Sequence, residues 1–168
     1  MKTKIFTLAT ILTAFAANSF AQSTANASTT ATLVAPISIS KVTDMNFGIV
    51  AASATSGTVV LDYANGRTIT GGASLPAGSV DQTTAVFAVE GEGTSSFSIA
   101  IPSSPITLTG SVAGTMTVSN FVDDLGATGT LVAGAKTIKV KATLNVPAAA
   151  VAGVYTNANG LFVTVNYN

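Results

Sequence analysis

The feature that most constrains the fold is the alternation of apolar and polar residues in short segments after residue 35. In the clearest segment the apolar positions are Ile138, Val140, Ala142, Leu144 and Val146. Successive side chains point to opposite faces of a β-strand, so this spacing predicts a strand with one buried face. No segment after residue 21 has apolar residues three and four apart over the length of a helix. The sequence therefore predicts an all-β fold.

Glycine, proline, asparagine and serine separate the alternating segments. Asn65-Gly66 predicts a two-residue hairpin turn between strands at 57–63 and 67–70. Asn157 to Gly160 predicts a second hairpin turn, leading into the last strand. Further strands are predicted at residues 37–42, 45–50, 84–89, 96–101, 106–109, 115–122 and 153–156. Short strands at this spacing are typical of an antiparallel β-sandwich, here in one domain.

The last nine residues, from Gly160 to Asn168, predict a half-buried strand. One face of this strand carries Leu161, Val163, Val165 and Tyr167. A terminal strand is ordered only when it is paired into a sheet. We therefore expect these four residues to lie against another strand.

Residues 1–21 resemble a secretory signal peptide. Lys2 and Lys4 precede a mostly apolar run, and Ser19-Phe20-Ala21 supplies small residues at the positions that a signal peptidase recognises. The apolar run is too short for a membrane span. The sequence predicts cleavage before Gln22 and an exported protein with no membrane span.

Residues 22–34 form an N-terminal extension of small, uncharged residues. Alternate positions in it are Ala25, Ala27, Thr29, Ala31 and Leu33. These five side chains would share one face of an extended chain and could lie in a narrow apolar groove. A flexible linker has the same composition, so both interpretations stand at this point.

The composition excludes several classes of function. Charged residues make up only 8% of the chain, which suits a protein that packs against copies of itself and lacks the basic surface of a nucleic-acid-binding protein. The chain contains no cysteine and no histidine, so it has no disulfide and lacks the commonest general base and metal ligand. We expect no cofactor, no metal and no enzymatic activity.

Two pairs of carboxylates are the only candidates for a catalytic or calcium site. Glu90 and Glu92 lie at a strand end, each followed by glycine, and Asp123 and Asp124 precede Gly126. Calcium needs six or more oxygen ligands, and no segment has that density of acidic residues. Solvated turns are the favoured interpretation of both pairs.

Several motifs, in this order, carry a resemblance to a known family. They are Ala35-Pro36-Ile37-Ser38-Ile39, Met45-Asn46-Phe47-Gly48, Ser56-Gly57-Thr58-Val59-Val60-Leu61, Gly153-Val154-Tyr155 and the ending Val163-Thr164-Val165-Asn166-Tyr167-Asn168. Together they resemble the exported bacterial domain of unknown function 4402. That family looks like a relative of major fimbrial subunits of the chaperone–usher kind and of spore-coat-U-like pilins.

The resemblance implies an incomplete immunoglobulin-like antiparallel β-sandwich over residues 35–168, completed by a donor strand from the next subunit. It makes residues 22–34 the donor strand, with Ala25, Ala27, Thr29, Ala31 and Leu33 facing the groove. It makes the terminal strand, with Leu161, Val163, Val165 and Tyr167, one wall of the acceptor groove. The absence of a disulfide and the small donor side chains depart from many pilins.

The function expected from these features is a non-enzymatic subunit of a bacterial surface fibre or pilus, which polymerises head-to-tail with copies of itself. Whether a periplasmic chaperone and an outer-membrane usher take part is left open. The alternative is a self-complete secreted β-sandwich, an adhesin or ligand-binding module, that binds through loops at 71–82 and 123–135. A hydrolase or metal enzyme using Glu90, Glu92, Asp123 and Asp124 is the third hypothesis.

Overall fold

The computed structural model describes residues 22–78 and 81–168. The chain divides into two compact units, Met1–Leu33 and Val34–Asn168. In the first unit, residues 22–33 form neither helix nor strand, and all their side chains are exposed. The predicted signal peptide, residues 1–21, lies outside the described residues. No helix within the described ranges is long and apolar enough to cross a membrane.

The second unit is built from antiparallel strands, and the residues described in it contain no helix. The strands are β1 (Ser38–Thr43), β2 (Gly57–Leu61), β3 (Arg67–Gly71), β4 (Ala85–Glu90), β5 (Ser96–Ala100), β6 (Ile106–Gly110), β7 (Thr115–Asp123), β8 (Thr128–Thr130), β9 (Ala135–Val146), β10 (Tyr155–Thr156) and β11 (Thr164–Tyr167). The sheets curl into a half-barrel. The predicted all-β fold is confirmed.

The strands form a large sheet and a small sheet. The large sheet has the order β1-β4-β9-β7-β6-β10, and the β2–β3 hairpin also joins it through β9. Strand β4 pairs with Ala135–Val140 of β9, and β2 pairs with Ala142–Val146 along the same edge, opposite β7. The small sheet has the order β11-β5-β8. Strand β9 therefore organises the large sheet.

The alternation in β9 has the predicted consequence for burial. Ile138 and Val140 are fully buried, as are nearly all of the following apolar positions of the strand. On the other face, Lys139 Nζ lies 3.5 Å from the carbonyl oxygen of Tyr63, and Lys141 Nζ lies 5.0 Å from the centre of the Tyr63 ring. The alternation therefore predicted which side chains of β9 are buried and which lie on the outer face.

Two clusters of buried residues fill the interior. The first core cluster consists of Ala85, Phe87, Val89, Phe97, Ile99, Leu131, Ile138, Val140 and Val165. The second core cluster consists of Phe47, Val59, Leu61, Ala73, Val118, Ala142, Leu144 and Val146. The small sheet contributes to the first cluster and supplies no buried member of the second. The second half of β9 is therefore not covered by the small sheet.

The strand predicted at residues 45–50 is wrong. Within the described chain, Asn46 makes only an isolated bridge, with Thr83. Gly48 has a φ of 68°, and its N–H donates to Asn46 Oδ1 at 2.8 Å. A positive φ turns the chain out of an extended conformation, and glycine adopts it without steric strain.

The C-terminal predictions were partly wrong. The terminal strand begins at Thr164 and not at Leu161. Thr164 pairs with Ala100, and the same register would place Phe162 opposite Pro102, which has no N–H to donate. The predicted hairpin turn at 157–160 is also wrong. Strand β10 pairs with β6 in the large sheet and β11 pairs with β5 in the small sheet, so the chain crosses between sheets here.

Strand β8 lies within a segment, residues 123–135, that was predicted as a loop. It pairs with Ser96–Ser98 of β5. Gly129 lies against the ring of Phe97, and a Cβ at this position would overlap that ring. The three residues of β8 carry no alternation of apolar and polar side chains, so the sequence pattern gives no signal for this strand. The contact between Gly129 and Phe97 is seen only in the structure.

Replacing Asp123 by alanine is expected to destabilise the domain. The Asp123 carboxylate accepts hydrogen bonds from the N–H groups of Leu125 at 2.9 Å, Gly126 at 2.5 Å and Ala127 at 3.3 Å. Asp123→Ala leaves these donors without their partner and should lower the free energy of unfolding by about 2 kcal/mol. Urea unfolding followed by circular dichroism measures this change.

Asp124→Ala is the matched control for this prediction. Asp124 is exposed, and its carboxylate accepts one backbone hydrogen bond, from Lys139 at 2.8 Å. Its loss should cost clearly less than that of Asp123. Equal destabilisation by the two substitutions would contradict the assignment of Asp123 as the residue that holds the turn.

Candidate functional site

An open groove of about 810 Å³ lies on the inner face of the large sheet. Its floor comes from β4, β6, β7 and β9, and its sides come from residues 43–50 and 153–161. The apolar floor residues are Ala85, Phe87, Ile106, Leu108, Met116, Val118, Phe121 and Leu144. This floor includes members of both core clusters. The groove is therefore a part of the hydrophobic core that the described chain leaves open.

The first side of the groove, residues 43–50, is held in place by hydrogen bonds from other strands. Arg67 Nη1 donates to the carbonyl oxygens of Phe47 at 2.7 Å and Ile49 at 3.1 Å. The backbone groups of Asn46 and Thr83 exchange two hydrogen bonds of 2.8 Å. Phe47 is buried and anchors the segment in the second core cluster. This explains the Met45-Asn46-Phe47-Gly48 motif as a fixed wall.

The second side, residues 153–161, is attached to the β6–β7 hairpin. Ser111 N–H donates to the carbonyl of Val154 at 2.7 Å, and Val154 N–H donates to Ser111 Oγ at 3.1 Å. Asn157 Nδ2 donates to the carbonyl of Thr107 at 2.8 Å. The Tyr155 ring packs so closely on Gly110 that a Cβ there would lie 2.8 Å from it. The Gly153-Val154-Tyr155 motif therefore forms the opposite wall.

Strand β11 has a free edge, and Leu161, which precedes this strand, lines the groove. Within the described chain it pairs only with β5. Asn168 N–H donates to the carbonyl of Ser96, so the even-numbered residues of this segment direct their backbone groups toward β5. The backbone groups of the odd-numbered residues therefore point to the opposite edge of β11, away from β5. These residues are Val163, Val165 and Tyr167. Strand β1 is likewise the edge of the large sheet. Free edges next to an apolar groove are the arrangement to which a further strand can add.

The groove carries no net charge. Its lining includes two charged residues, Lys41 and Asp44, and these form an ion pair with Nζ and Oδ1 2.6 Å apart. Both side chains are exposed, so the pair contributes little to stability. The groove is consequently suited to an uncharged ligand with apolar side chains.

A cluster of hydrogen bonds, here called the Tyr167 clamp, joins the end of β11 to the residue before Pro36. Tyr167 Oη donates to the carbonyl of Ala35 at 2.9 Å and accepts from the N–H of Glu92 at 2.7 Å. Glu92 Oε2 accepts from the N–H of Ala35 at 3.2 Å. A Cβ at Gly91 would overlap Tyr167 Oη, so glycine is required there. The clamp thus holds both backbone groups of Ala35.

The family described as Domain of unknown function (DUF4402) matches residues 37–167. The chain belongs to this family. The match includes both sides of the groove and all of β11, and it begins after the N-terminal extension. No curated protein and no solved structure matches the chain. The predicted DUF4402 membership is confirmed, and the relationship to fimbrial subunits stays a prediction.

The four residues predicted for the acceptor groove all contact the first core cluster of the DUF4402 domain. Val165 is a buried member of the cluster, while Leu161, Val163 and Tyr167 pack against it half-buried. Leu161 also lines the groove, and Tyr167 forms the clamp. The structure therefore places all four residues on one face, and of the four only Leu161 lines the groove.

The predicted donor residues belong to the first unit of the chain. Ala25, Ala27, Thr29, Ala31 and Leu33 are all exposed, and Leu33 is 99% exposed. Sequence reasoning did not identify the floor of the groove as a site, because its residues alternate in their strands like any core residues. Their distinguishing property is that they line an open groove, where half of them are buried and half are only half-buried, and the pattern of one chain does not encode this.

Three of the four carboxylates considered for catalysis accept hydrogen bonds within the DUF4402 domain, and the fourth, Glu90, is exposed at the end of β4. Glu92 forms the clamp, Asp123 accepts backbone hydrogen bonds and Asp124 accepts one from Lys139. Burial, followed by the charges of Asp123 and Asp124, raises the pKa of Tyr63, whose hydroxyl donates to the carbonyl of Asp123 at 2.8 Å. Among the described residues, no group of three or more acidic side chains could hold a metal ion.

Replacing Arg67 by alanine is expected to loosen the first side of the groove. The two hydrogen bonds to the carbonyls of Phe47 and Ile49 would be lost, and bonds to a charged group contribute about 1.5–3 kcal/mol. Amide hydrogen exchange at Asn46 and Ala51, which bond to Thr83 and Ser74, should become about tenfold faster or more.

Lys41→Ala is the control for Arg67→Ala, since it removes an exposed ion pair on the same side of the groove. Exchange at Asn46 and Ala51 should stay within about threefold of the unsubstituted protein. Unchanged exchange in Arg67→Ala would show that other contacts hold this segment.

Proposed function

We propose that this DUF4402 protein is a structural, non-enzymatic subunit of an exported bacterial surface fibre. In this proposal the groove binds residues 22–34 of another copy as an added strand, which completes an immunoglobulin-like sandwich. The observation that carries the proposal is the open apolar groove, whose lining includes Leu161, the residue from which the chain runs into β11 and its free edge. One copy thus has an open apolar groove and, a few residues along the chain, an unpaired strand edge.

The N-terminal extension has the properties that this groove requires. Residues 22–34 have no charged side chain, and the groove has no net charge. An added strand would pair its backbone with the segment from Leu161 to Val163 that leads into β11, and would direct every second side chain to the apolar floor. The five side chains from Ala25 to Leu33 would contribute on the order of 1 kcal/mol each by burial. Backbone hydrogen bonds would supply the rest of the stabilisation.

Assembly by this contact would produce filaments. Each copy would give its extension to one neighbour and its groove to another, so the interface is heterologous. Repetition of a heterologous contact without ring closure gives an open head-to-tail polymer. Before assembly the half-buried residues of the floor would be partly open to water, which gives a periplasmic chaperone and an outer-membrane usher a physical role as partners.

The first test of this proposal is electron microscopy of the protein without its signal peptide. Filaments are expected, whereas deletion of residues 22–34 should leave a folded monomer that forms none. Circular dichroism and light scattering establish folding and mass. A native protein that stays monomeric, or a deleted chain that still polymerises, would exclude the proposal and favour the self-complete binding module.

A pair of adjacent, chemically identical residues provides a sharper test. Thr29 lies on the predicted groove-facing side of the extension and Thr30 on the other. Thr29→Asp would bury an unpaired charge against the apolar floor, so assembly should weaken by about 100-fold or more. Thr30→Asp adds the same charge on the exposed face and should change assembly by less than about fivefold.

Sedimentation of polymer over a range of protein concentrations measures both variants of this pair. Equal weakening by the two substitutions would show that charge alone opposes assembly, and equal assembly would show that the extension does not occupy the groove. Either result would contradict the proposed register.

A further inference from the structure

We infer that the Tyr167 clamp directs the N-terminal extension away from the groove of its own domain, so that a second copy fills that groove. This inference rests on the proposed function and adds the reason why the contact forms between copies. It makes Tyr167 a positioning residue. Its ring packs on the first core cluster, while its hydroxyl holds the point at which the extension joins the domain.

The clamp lies at one end of the domain. Ser38, at the start of β1, pairs with Glu90, and Tyr167, at the end of β11, pairs with Phe97. Glu90 ends β4 and Phe97 lies near the start of β5, so both pairs flank the turn between these strands. The start of β1 and the end of β11 therefore meet at the turn that contains Glu92.

The groove opens toward the other end of the same two strands. Strand β1 runs away from the clamp into residues 43–50, which form the first side of the groove. Leu161, which precedes β11, lies on the second side. Ala35, the residue that the clamp holds, is consequently at the end remote from the groove's opening.

The space between β1 and β11 is too narrow for another strand where they approach each other. Their Cα atoms come within 8 Å. A strand between two others needs about 10 Å, twice the spacing of ~4.8 Å between paired strands. An extension that folded back from Ala35 into its own groove would have to pass this closed region. Any other path into the groove would require Ala35 to leave the clamp first.

The local sequence also opposes a reversal at this point. Pro36 has a fixed φ, and the residue before a proline is restricted to extended conformations. Ala35 has its N–H and its carbonyl held by Glu92 and Tyr167, so neither is available for a turn. The backbone at Ala35 is therefore held in one conformation, by its two hydrogen bonds to Glu92 and Tyr167 and by the proline that follows it.

The test compares Tyr167→Phe with Tyr63→Phe in the protein without its signal peptide. Tyr167→Phe keeps the ring in the core and removes the hydroxyl that bonds to Ala35 and Glu92. Tyr63→Phe also removes one hydroxyl, which bonds to Asp123 away from the clamp. Light scattering over a range of concentrations measures the fraction of folded monomer that does not assemble.

In Tyr167→Phe the ratio of self-filled monomer to polymer should rise by about tenfold or more, because the extension is free to fold back. This monomer fraction should not depend on protein concentration and should not take up fluorescently labelled copies. Adding Thr29→Asp should lower its melting temperature, whereas adding Thr30→Asp should not. Tyr63→Phe should polymerise like the unsubstituted protein.

A second pair keeps the inference testable if Tyr167→Phe does not fold. Glu92→Ala removes the bond from Ala35 N–H without changing the core, and Glu90→Ala removes an exposed carboxylate outside the clamp. The self-filled monomer should increase in Glu92→Ala only, and by less than in Tyr167→Phe. No increase in either Tyr167→Phe or Glu92→Ala would overturn the inference.

The failure of this inference is distinguishable from the failure of the proposed function. If Thr29→Asp and Thr30→Asp polymerise differently but the clamp variants behave like their controls, the groove binds the extension and the clamp does not choose between copies. If the two threonine variants polymerise alike, the proposed function itself is wrong.

Discussion

The inner face of the large sheet is apolar over a greater length than the small sheet covers. Strand β9 buries alternate side chains from Ile138 to Val146, whereas β5, β8 and β11 pack only on the part that belongs to the first core cluster. Burial of apolar surface is the main favourable term in folding, so an uncovered apolar floor is costly in water. The segments on the two sides of the groove, residues 43–50 and 153–161, reduce the exposure of the floor to water.

Polar contacts position these segments, because after Thr43 the first forms no ladder with the described strands and the second forms one only over the two residues of β10. Arg67 and Thr83 hold the first side, and Ser111 and Asn157 hold the second. Gly48 supplies the positive φ that breaks the first segment out of a strand. The groove therefore keeps its shape although no strand of the described chain crosses it, and an added strand would meet a formed site.

Much of this fold could be predicted from the sequence because a period of two decides both strand and buried face. The alternation around Val140 predicted β9, and Asn65-Gly66, where Asn65 has a φ of 66°, predicted the β2–β3 hairpin. What failed depended on partners distant in the chain. Pro102 limits the length of β11, and the residues around Gly129 form a strand because they pair with β5 and pack against Phe97. The family resemblance, and not the pattern of the terminal strand, suggested a groove at Leu161. The floor could not be predicted, because a residue such as Leu108 has the same pattern as a core residue away from the groove.

The bond between Tyr167 and Ala35 joins residues 132 positions apart. Closing so long a loop costs conformational entropy, and contacts of this sequence separation slow the folding of β-rich domains. Strand β11 depends on β5 for its place, since β5 is its one ladder partner within the described chain. The backbone of Ala35 is thus held by a contact that needs both ends of the domain to be in place. A chain in which β11 has not yet paired cannot hold this residue.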